Sequence, residues 1–330
     1  LIAIAHATLT NNDRRKRFLN FPTTAPIKTV RGVMGSVFGA NMLVLVGAVV
    51  VVVCVLGGFV LSHGQVLSLW QPYELLIIGG GALGAFLSAN PAKVVKASLR
   101  DALGLLKGPK YHKQDYVDLL SMLYELFSLI RKEGLLGVEE HIEDPQASSL
   151  FSAYPRLQRE HHLIEFTTDC LRLMVGGSMN PIELEQLLEV ELETHHHDAI
   201  APALAVTKMA DALPGFGIVA AVLGIVTTMS QLDGDTSRIG MHIAGALVGT
   251  FLGILLCYGF IGPLGAAMEN RVQEDGKAFE CVKIALLANL RGYNPKVAVE
   301  FARKSLAAHT HPGFLDLEEH LKAPRAKAAT

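Results

Sequence analysis

The densest cluster of metal-binding side chains in the sequence is His195-His196-His197, which follows the acidic run Glu183, Glu185, Glu189, Glu191 and Glu193. Consecutive residues on a helix point about 100° apart, so three adjacent imidazoles do not converge on one ion. Surface histidines are expected here and at His161-His162. Cys54, Cys170, Cys257 and Cys281 form no C-x-x-C pair and share no spacing, which argues against a zinc site and against disulfides. Gly79-Gly80-Gly81 with Gly84 imitates a phosphate-binding loop, but it lies inside an uncharged apolar block. No nucleophile stands in an arrangement with a general base. These residues predict no enzymatic activity, no cofactor and no metal, and a net charge of −2 gives no case for nucleic acid.

The elements that would carry any chemistry are mostly membrane spans. Half of the 330 residues are hydrophobic and 18% are charged, with a mean hydropathy of +0.35. That is too apolar for an ordinary soluble domain and too charged for a pure membrane bundle. About 20 apolar residues cross the hydrocarbon core as a helix, and four blocks qualify: Met42 to Leu61, Tyr73 to Ala89 (a little short), Ala212 to Met229 and Met241 to Met268. Residues 90–211 and 269–330 then form polar regions. The short connections Ser62–Pro72 and Ser230–Gly240 contain only Arg238 as a Lys or Arg, whereas Lys93, Lys96, Arg100, Lys107, Lys110 and Lys113 follow the second span, and Arg271 and Lys277 follow the fourth. The positive-inside rule therefore predicts an inner-membrane protein with both termini and the long connection in the cytoplasm.

The polar regions read as helical. Tyr116, Leu119, Leu120, Leu123, Leu126, Phe127 and Ile130 recur at spacings of three and four, ending near Glu133-Gly134. Asn180-Pro181 is an N-cap with Pro at the first helical position and opens a helix through Thr194. Val272 to Leu290 and Pro295 to Leu306 are further helices, and the tail from Ala323 is expected to be disordered. With no period-two run, the fold class is all-α: a polytopic membrane protein with four transmembrane helices and a helical cytoplasmic domain. Residues 1–41 carry the basic run Arg14-Arg15-Lys16-Arg17 and begin with Leu1, so a natural start at Met42 is expected, with the preceding residues a non-native or disordered extension.

Between their ends the four spans contain no Asp, Glu, Lys or Arg; Glu74 and Asp211 lie at span ends. Intramembrane ionisable groups normally mark ion pathways. Either the protein moves no ions, or a partner supplies the titratable group. Small residues recur at helical spacing instead: Gly80 and Gly84, Gly217 with Ala221 and Gly224, and Gly245, Gly249 and Gly253. Such ridges let helices approach closely in lipid, either within this chain or against another. Pro214 opens the third span and Pro263 closes the fourth, at one depth on consecutive spans. Pro214 is compatible with a plain helix start, while Pro263 should kink its helix and free a carbonyl near Gly259. Together they could form a hinge.

The run Ala246-Leu247-Val248-Gly249-Thr250-Phe251-Leu252-Gly253-Ile254-Leu255, followed by Pro263, resembles the signature of the MotA flagellar motor family. Gln71-Pro72-Tyr73-Glu74, Leu213-Pro214-Gly215-Phe216-Gly217-Ile218-Val219-Ala220-Ala221 and Val297-Ala298-Val299-Glu300-Phe301-Ala302-Arg303-Lys304 are similar to other parts of it. The resemblance runs from about Met42 to about Lys322. It implies a flagellar stator: a ring, pentameric in the family, around a MotB-like single-span subunit that is anchored to peptidoglycan and carries the membrane aspartate. It also implies torque on the rotor protein FliG, through Arg131 and Glu139, with Lys132, Glu133 and Glu140 as auxiliaries; the plain alternative for these two is a helix C-terminus complement and a solvated carboxylate. Pro214 and Pro263 match the family's conformational-coupling prolines, and Thr250 a threonine lining the ion path. Ala221 stands where sodium-driven relatives carry threonine. Since alanine offers no oxygen ligand, H+ is expected rather than Na+. The competing readings are a TolQ- or ExbB-like energiser of the envelope and a non-conducting membrane scaffold.

Overall fold

A computed structural model of the chain describes residues 40–177, 180–229 and 236–322, and among these every regular element is helical. Nearly all of the expected N-terminal extension, the tail from Ala323 and part of the last connection lie outside the described residues. In chain order the α-helices are α1 (Ala40–Leu61), α2 (Pro72–Ala89), α3 (Ala92–Gly104), α4 (Lys113–Glu133), the short α5 (Glu139–Glu143), α6 (Ser149–Ser152) and α7 (Pro155–Gln158), then α8 (His161–Val175), α9 (Pro181–Met229), α10 (Thr236–Leu256), α11 (Gly262–Leu290), α12 (Pro295–Ser305) and α13 (Phe314–Lys322). A π-helical turn, Cys257–Ile261, joins α10 to α11.

The helix starts follow local chemistry. Asp115 accepts from the His112 backbone N–H at 2.8 Å, closing a capping box on α4. Asn180 Oδ1 accepts from the N–H groups of Ile182 and Glu183 at 2.9 and 3.0 Å, and Asn294 caps α12 likewise. Helix α4 stops at Gly134, whose φ of +78° is a backbone state that glycine adopts without strain.

Four segments are long and apolar enough to span a membrane, as the sequence predicts, but two are parts of much longer rods. Helix α9 does not end at Thr194 and restart at Pro214. It runs unbroken for 49 residues, about 74 Å at the standard rise, with Pro202 and Pro214 inside it. Pro214 is therefore not a helix start. No cap or glycine stop interrupts the acidic stretch before it, and packing against neighbouring helices offsets the lost hydrogen bond. The fourth span likewise continues through the π turn into α11 instead of ending near Met268. The Gly262 N–H donates to the Cys257 carbonyl five residues back, and Pro263 follows at once. The π turn sits where the proline ring would strain a regular helix.

Three hydrophobic clusters hold the chain together. In the membrane layer Ile78 and Ala82 of α2 pack with Ala210, Leu213 and Ala220 of α9 and with Cys257. Leu105, Ala203, Val206 and Met268 form a small junction cluster. The polar regions before the third span and after the fourth do not stand apart. They share one core, in which Leu120, Leu123 and Phe127 of α4, Leu163 and Leu171 of α8, Val282, Ala285 and Leu286 of α11, and Ala298 and Ala302 of α12 are all buried. Cys170 and Cys281 lie in this core as free thiols. Buried Arg303 grips Glu300 with two hydrogen bonds, at 2.6 and 2.5 Å, and donates to the Pro312 carbonyl at 2.8 Å, fastening the segment before α13.

Helices α9 and α10 cross with almost no side chain between them. A Cβ built on Gly253 would lie 2.7 Å from the Leu213 carbonyl oxygen and 3.1 Å from the Gly217 Cα. One on Gly224 would lie 3.0 Å from the Ala246 Cβ. Gly80 and Gly84 differ: neither has a neighbour within 4 Å in this chain, and the packing glycine of α2 is Gly81, against the Phe216 ring. Helix α1 is peripheral, with Val49 and Val53 60% and 62% exposed. Gly253→Val is expected to cost about 1–3 kcal/mol or more by overpacking and to lower the melting temperature of the detergent-solubilised chain. Gly80→Ala and Gly84→Ala should leave that melting temperature unchanged.

Candidate functional site

The α9–α10 crossing gathers residues from three spans. A Cβ on Gly217 would stand 3.4 Å from the Thr250 Cα, and one on Gly249 would meet the Ala220 Cβ at 3.3 Å and the Ala221 backbone N at 3.7 Å. Thr250 and Ala221 are thus brought together, both half-buried. The same position on Gly249 is 3.3 Å from Cγ of Glu74, and the Gln71 amide lies 3.5 Å from the corresponding point on Gly245. The glycine ridge of α10 therefore does two jobs. Gly253 admits the α9 backbone, while Gly245 and Gly249 admit two polar side chains from α2.

Glu74 corrects the sequence reading. It stands in the first turn of its own helix, where a span end is expected to be solvated. Its neighbours Ala220 and Ala221 are eight and nine residues inside the end of α9 at Met229, about 13 Å along that helix. Its Oε2 is enclosed and has no hydrogen-bond partner. Reading each span separately hid this, because depth along one helix says nothing of depth in the bundle. The signal available was the matched spacing of Gln71 and Glu74 against Gly245 and Gly249.

The two prolines do not share a level. Leu213 and Gly217 cross Gly253, whereas Gly265, two residues beyond Pro263, lies against Thr207. Pro263 is thus displaced from Pro214 by about one and a half helical turns along α9. The π turn between Gly253 and Pro263 alters the advance of that strand of the crossing.

Arg131 and Glu139 are exposed on either side of a tight reversal. Gly134 ends α4, a 3-10 turn Leu135–Val138 anchors on buried Val138, and a Cβ on Gly137 would lie 2.5 Å from that of Glu133. The reversal folds back onto the last turn of α4 and presents both charges at one corner. Among the described residues Arg131, Lys132, Glu133, Glu139 and Glu140 enter no ion pair, unlike nearby Arg172, which pairs with Asp169 and Glu143.

The described residues hold no group of three or more metal-ligating side chains. The His195 ring instead packs on Phe279, with centroids 4.4 Å apart, and its pKa is lowered by burial and by neighbouring His162, Lys110 and His196. Both rings border a cavity of about 360 Å³ near the membrane junction, together with Arg100, Arg271 and Asp275. Burial pushes the Asp275 carboxyl up to about 6 against the pull of Arg271 and Lys110. A carboxyl raised above its ordinary 3.8 destabilises the fold once it is ionised, so stability falls as pH rises from about 4 through about 6. Asp275→Asn is expected to raise the melting temperature above pH 6, by up to about 3 kcal/mol in stability, and to have no effect near pH 4.

Comparison with known proteins decides the family. The motility protein A N-terminal family matches residues 45–134, and the MotA/TolQ/ExbB proton channel family matches residues 159–280. Motility protein A of Salmonella typhimurium is 44% identical over 284 residues, covering 86% of this chain and 96% of its own length. The chain belongs to the motility protein A family. Its fold is also that of solved relatives. The structure of C. jejuni MotAB aligns with a TM-score of 0.64 at 20% identity, over 81% of this chain and 96% of that one. The flagellar MotAB stator complex from Bacillus subtilis aligns with a TM-score of 0.59 at 24% identity, over 84% of this chain and 97% of that one. The motility protein is a multi-pass membrane protein and a flagellar motor stator subunit, of a family of stators and proton channels rather than enzymes. The match of residues 45–134 to the motility protein A N-terminal family sets it apart from the TolQ- and ExbB-like energisers.

Proposed function

We propose that this subunit assembles with a MotB-like single-span partner in the bacterial inner membrane and couples an inward flow of protons to torque on the rotor protein FliG. The observation that carries this reading is the three-span crossing at Gly249, Thr250 and Ala221, which among the described residues offers a small-residue lining and one carboxylate to an ion. A second carboxylate from the partner would complete a path for protons. Ala221 adds no oxygen with which to ligate sodium, which favours H+. Each charge crossing the membrane supplies about 2.3 kcal/mol per 100 mV.

Self-association into a ring, pentameric in this reading, is supported by the faces left open: the outer face of α1 with Val49 and Val53, and the Gly80–Gly84 ridge on α2. Small residues unoccupied within one chain let a neighbouring helix approach closely in lipid. The basic residues beyond the second and fourth spans favour a cytoplasmic polar domain with both termini on the same side. There Arg131 and Glu139 would meet opposite charges on the rotor and steer the contact. Helices α9 and α11 run from the crossing into the polar core, so a change at the ion site would reach the rotor-facing corner through continuous helix, with Pro214 and the π turn before Pro263 as the places that bend.

In a strain lacking this chain, complementation by the subunit and its partner should restore swimming that stops when the proton gradient is collapsed and persists when sodium is removed. Sodium-dependent swimming would refute the ion assignment. Pro214→Ala and Pro263→Ala are expected to leave flagella assembled but not turning; normal swimming of both would refute the coupling role. Arg131→Glu or Glu139→Lys alone should slow swimming modestly, because adjacent like charges remain, whereas Arg131→Glu combined with Lys132→Glu should abolish it at unchanged membrane levels of the chain.

A further inference from the structure

We propose that Glu74 is a proton-carrying residue of the ion path, taking up a proton on the non-cytoplasmic side and releasing it to the water chain that serves the partner's carboxylate. This rests on the proton-driven reading above. The argument begins with position. Glu74 extends from the first turn of α2 into a notch opened by Gly249 on α10 and floored by Ala220 and Ala221 on α9. Any side chain at 249 would occupy the space its Cγ now takes, so the notch is built around it. Thr250, the next residue along α10, offers the nearest hydroxyl on the ridge that borders this site.

The second part is the missing partner. Oε2 of Glu74 is enclosed, and no donor reaches it. Buried polar oxygens are normally hydrogen-bonded, so this one is open to a donor that water or another chain would bring. Among the described residues, α9 brings no titratable side chain between Ala212 and Met229, α10 brings His242, which is exposed, and α2 itself brings Tyr73, also exposed. A carboxyl with an open oxygen can take a proton from a water on one side and give it to a water on the other. The step forms an O–H bond on Glu74 from an outside hydronium and later breaks it to a water on the inner side, so charge balances with no other reactant. Purely structural service would be met as well by glutamine, which has the same shape and hydrogen-bonds through an amide but cannot lose a proton at this pH.

That contrast supplies the test. Glu74→Gln and Glu74→Asp are expressed with the partner in the deletion strain, chain levels in membranes are measured, and swimming speed is followed against external pH. Glu74→Gln is expected to reach wild-type membrane levels and to lower speed by about tenfold or more, the scale of losing a positioned proton-transfer group, and Glu74→Asp to recover much of it with a displaced pH profile. Wild-type speed and pH profile for Glu74→Gln would overturn the inference and leave the stator reading intact. Equal loss in both variants together with depleted membrane levels would also overturn it, showing a packing role. If the wild-type complex swims on sodium instead, the proton reading fails, and this inference with it.

Discussion

The close backbone crossing of α9 and α10 is the constraint on which the rest of the membrane layer depends. In lipid the helices gain little from water exclusion, so their association rests on packing and on the few polar contacts between them. Gly217 and Gly253 bring two backbones into contact, and the Cβ positions they lack could not be accommodated without moving the Leu213 carbonyl. With that crossing fixed, the ridge continuing along α10 has a free side toward α2, and the glycines there admit Gln71 and Glu74 in place of another backbone. The same run of small residues thus determines both the approach of the spans and the only carboxylate placed between them among the described residues.

The second consequence is mechanical. Because α9 and the α10–α11 run continue into the polar core, the membrane crossing and the aqueous domain are parts of the same two rods. A bundle of short helices joined by loops would dissipate a displacement in its connections. Here the weak points are internal: Pro214 and Pro202 in one rod, and the π turn before Pro263 in the other. Their offset along the rods makes a local bend at one level different from a bend at the other. The corner that carries Arg131 and Glu139 is held by its own anchors, Val138 and the Gly134 reversal, so its charges stay exposed while the core beneath stays packed.

Much was legible from the chain alone. Four uncharged blocks of the right length give the spans, because lipid imposes one composition on any helix that crosses it. The amphipathic period of α4 and the Asn-Pro starts of α9 and α12 give their helices, since those signals act within a few residues. The small-residue spacing correctly marks Gly217, Gly224 and Gly253 as places of close approach within the chain. The boundaries that failed are those where a helix does not stop. Proline reads locally as a start or a break, yet Pro214 sits inside a continuous helix because neighbouring spans support it.

What only the tertiary structure decided is depth and company. Sequence determines that Glu74 lies near the end of its own span, and that is correct for α2 taken alone. It cannot determine that this end meets the middle of α10 and a point some nine residues inside the end of α9, because the relative height of packed helices depends on crossing angles and on which glycines admit which side chain. For the same reason it could not tell Gly80 and Gly84, which open outward, from Gly81, which receives Phe216. Residue types and spacing fix the class of molecule and the candidates. The packing of three helices at one point selects which of them meet in the membrane layer.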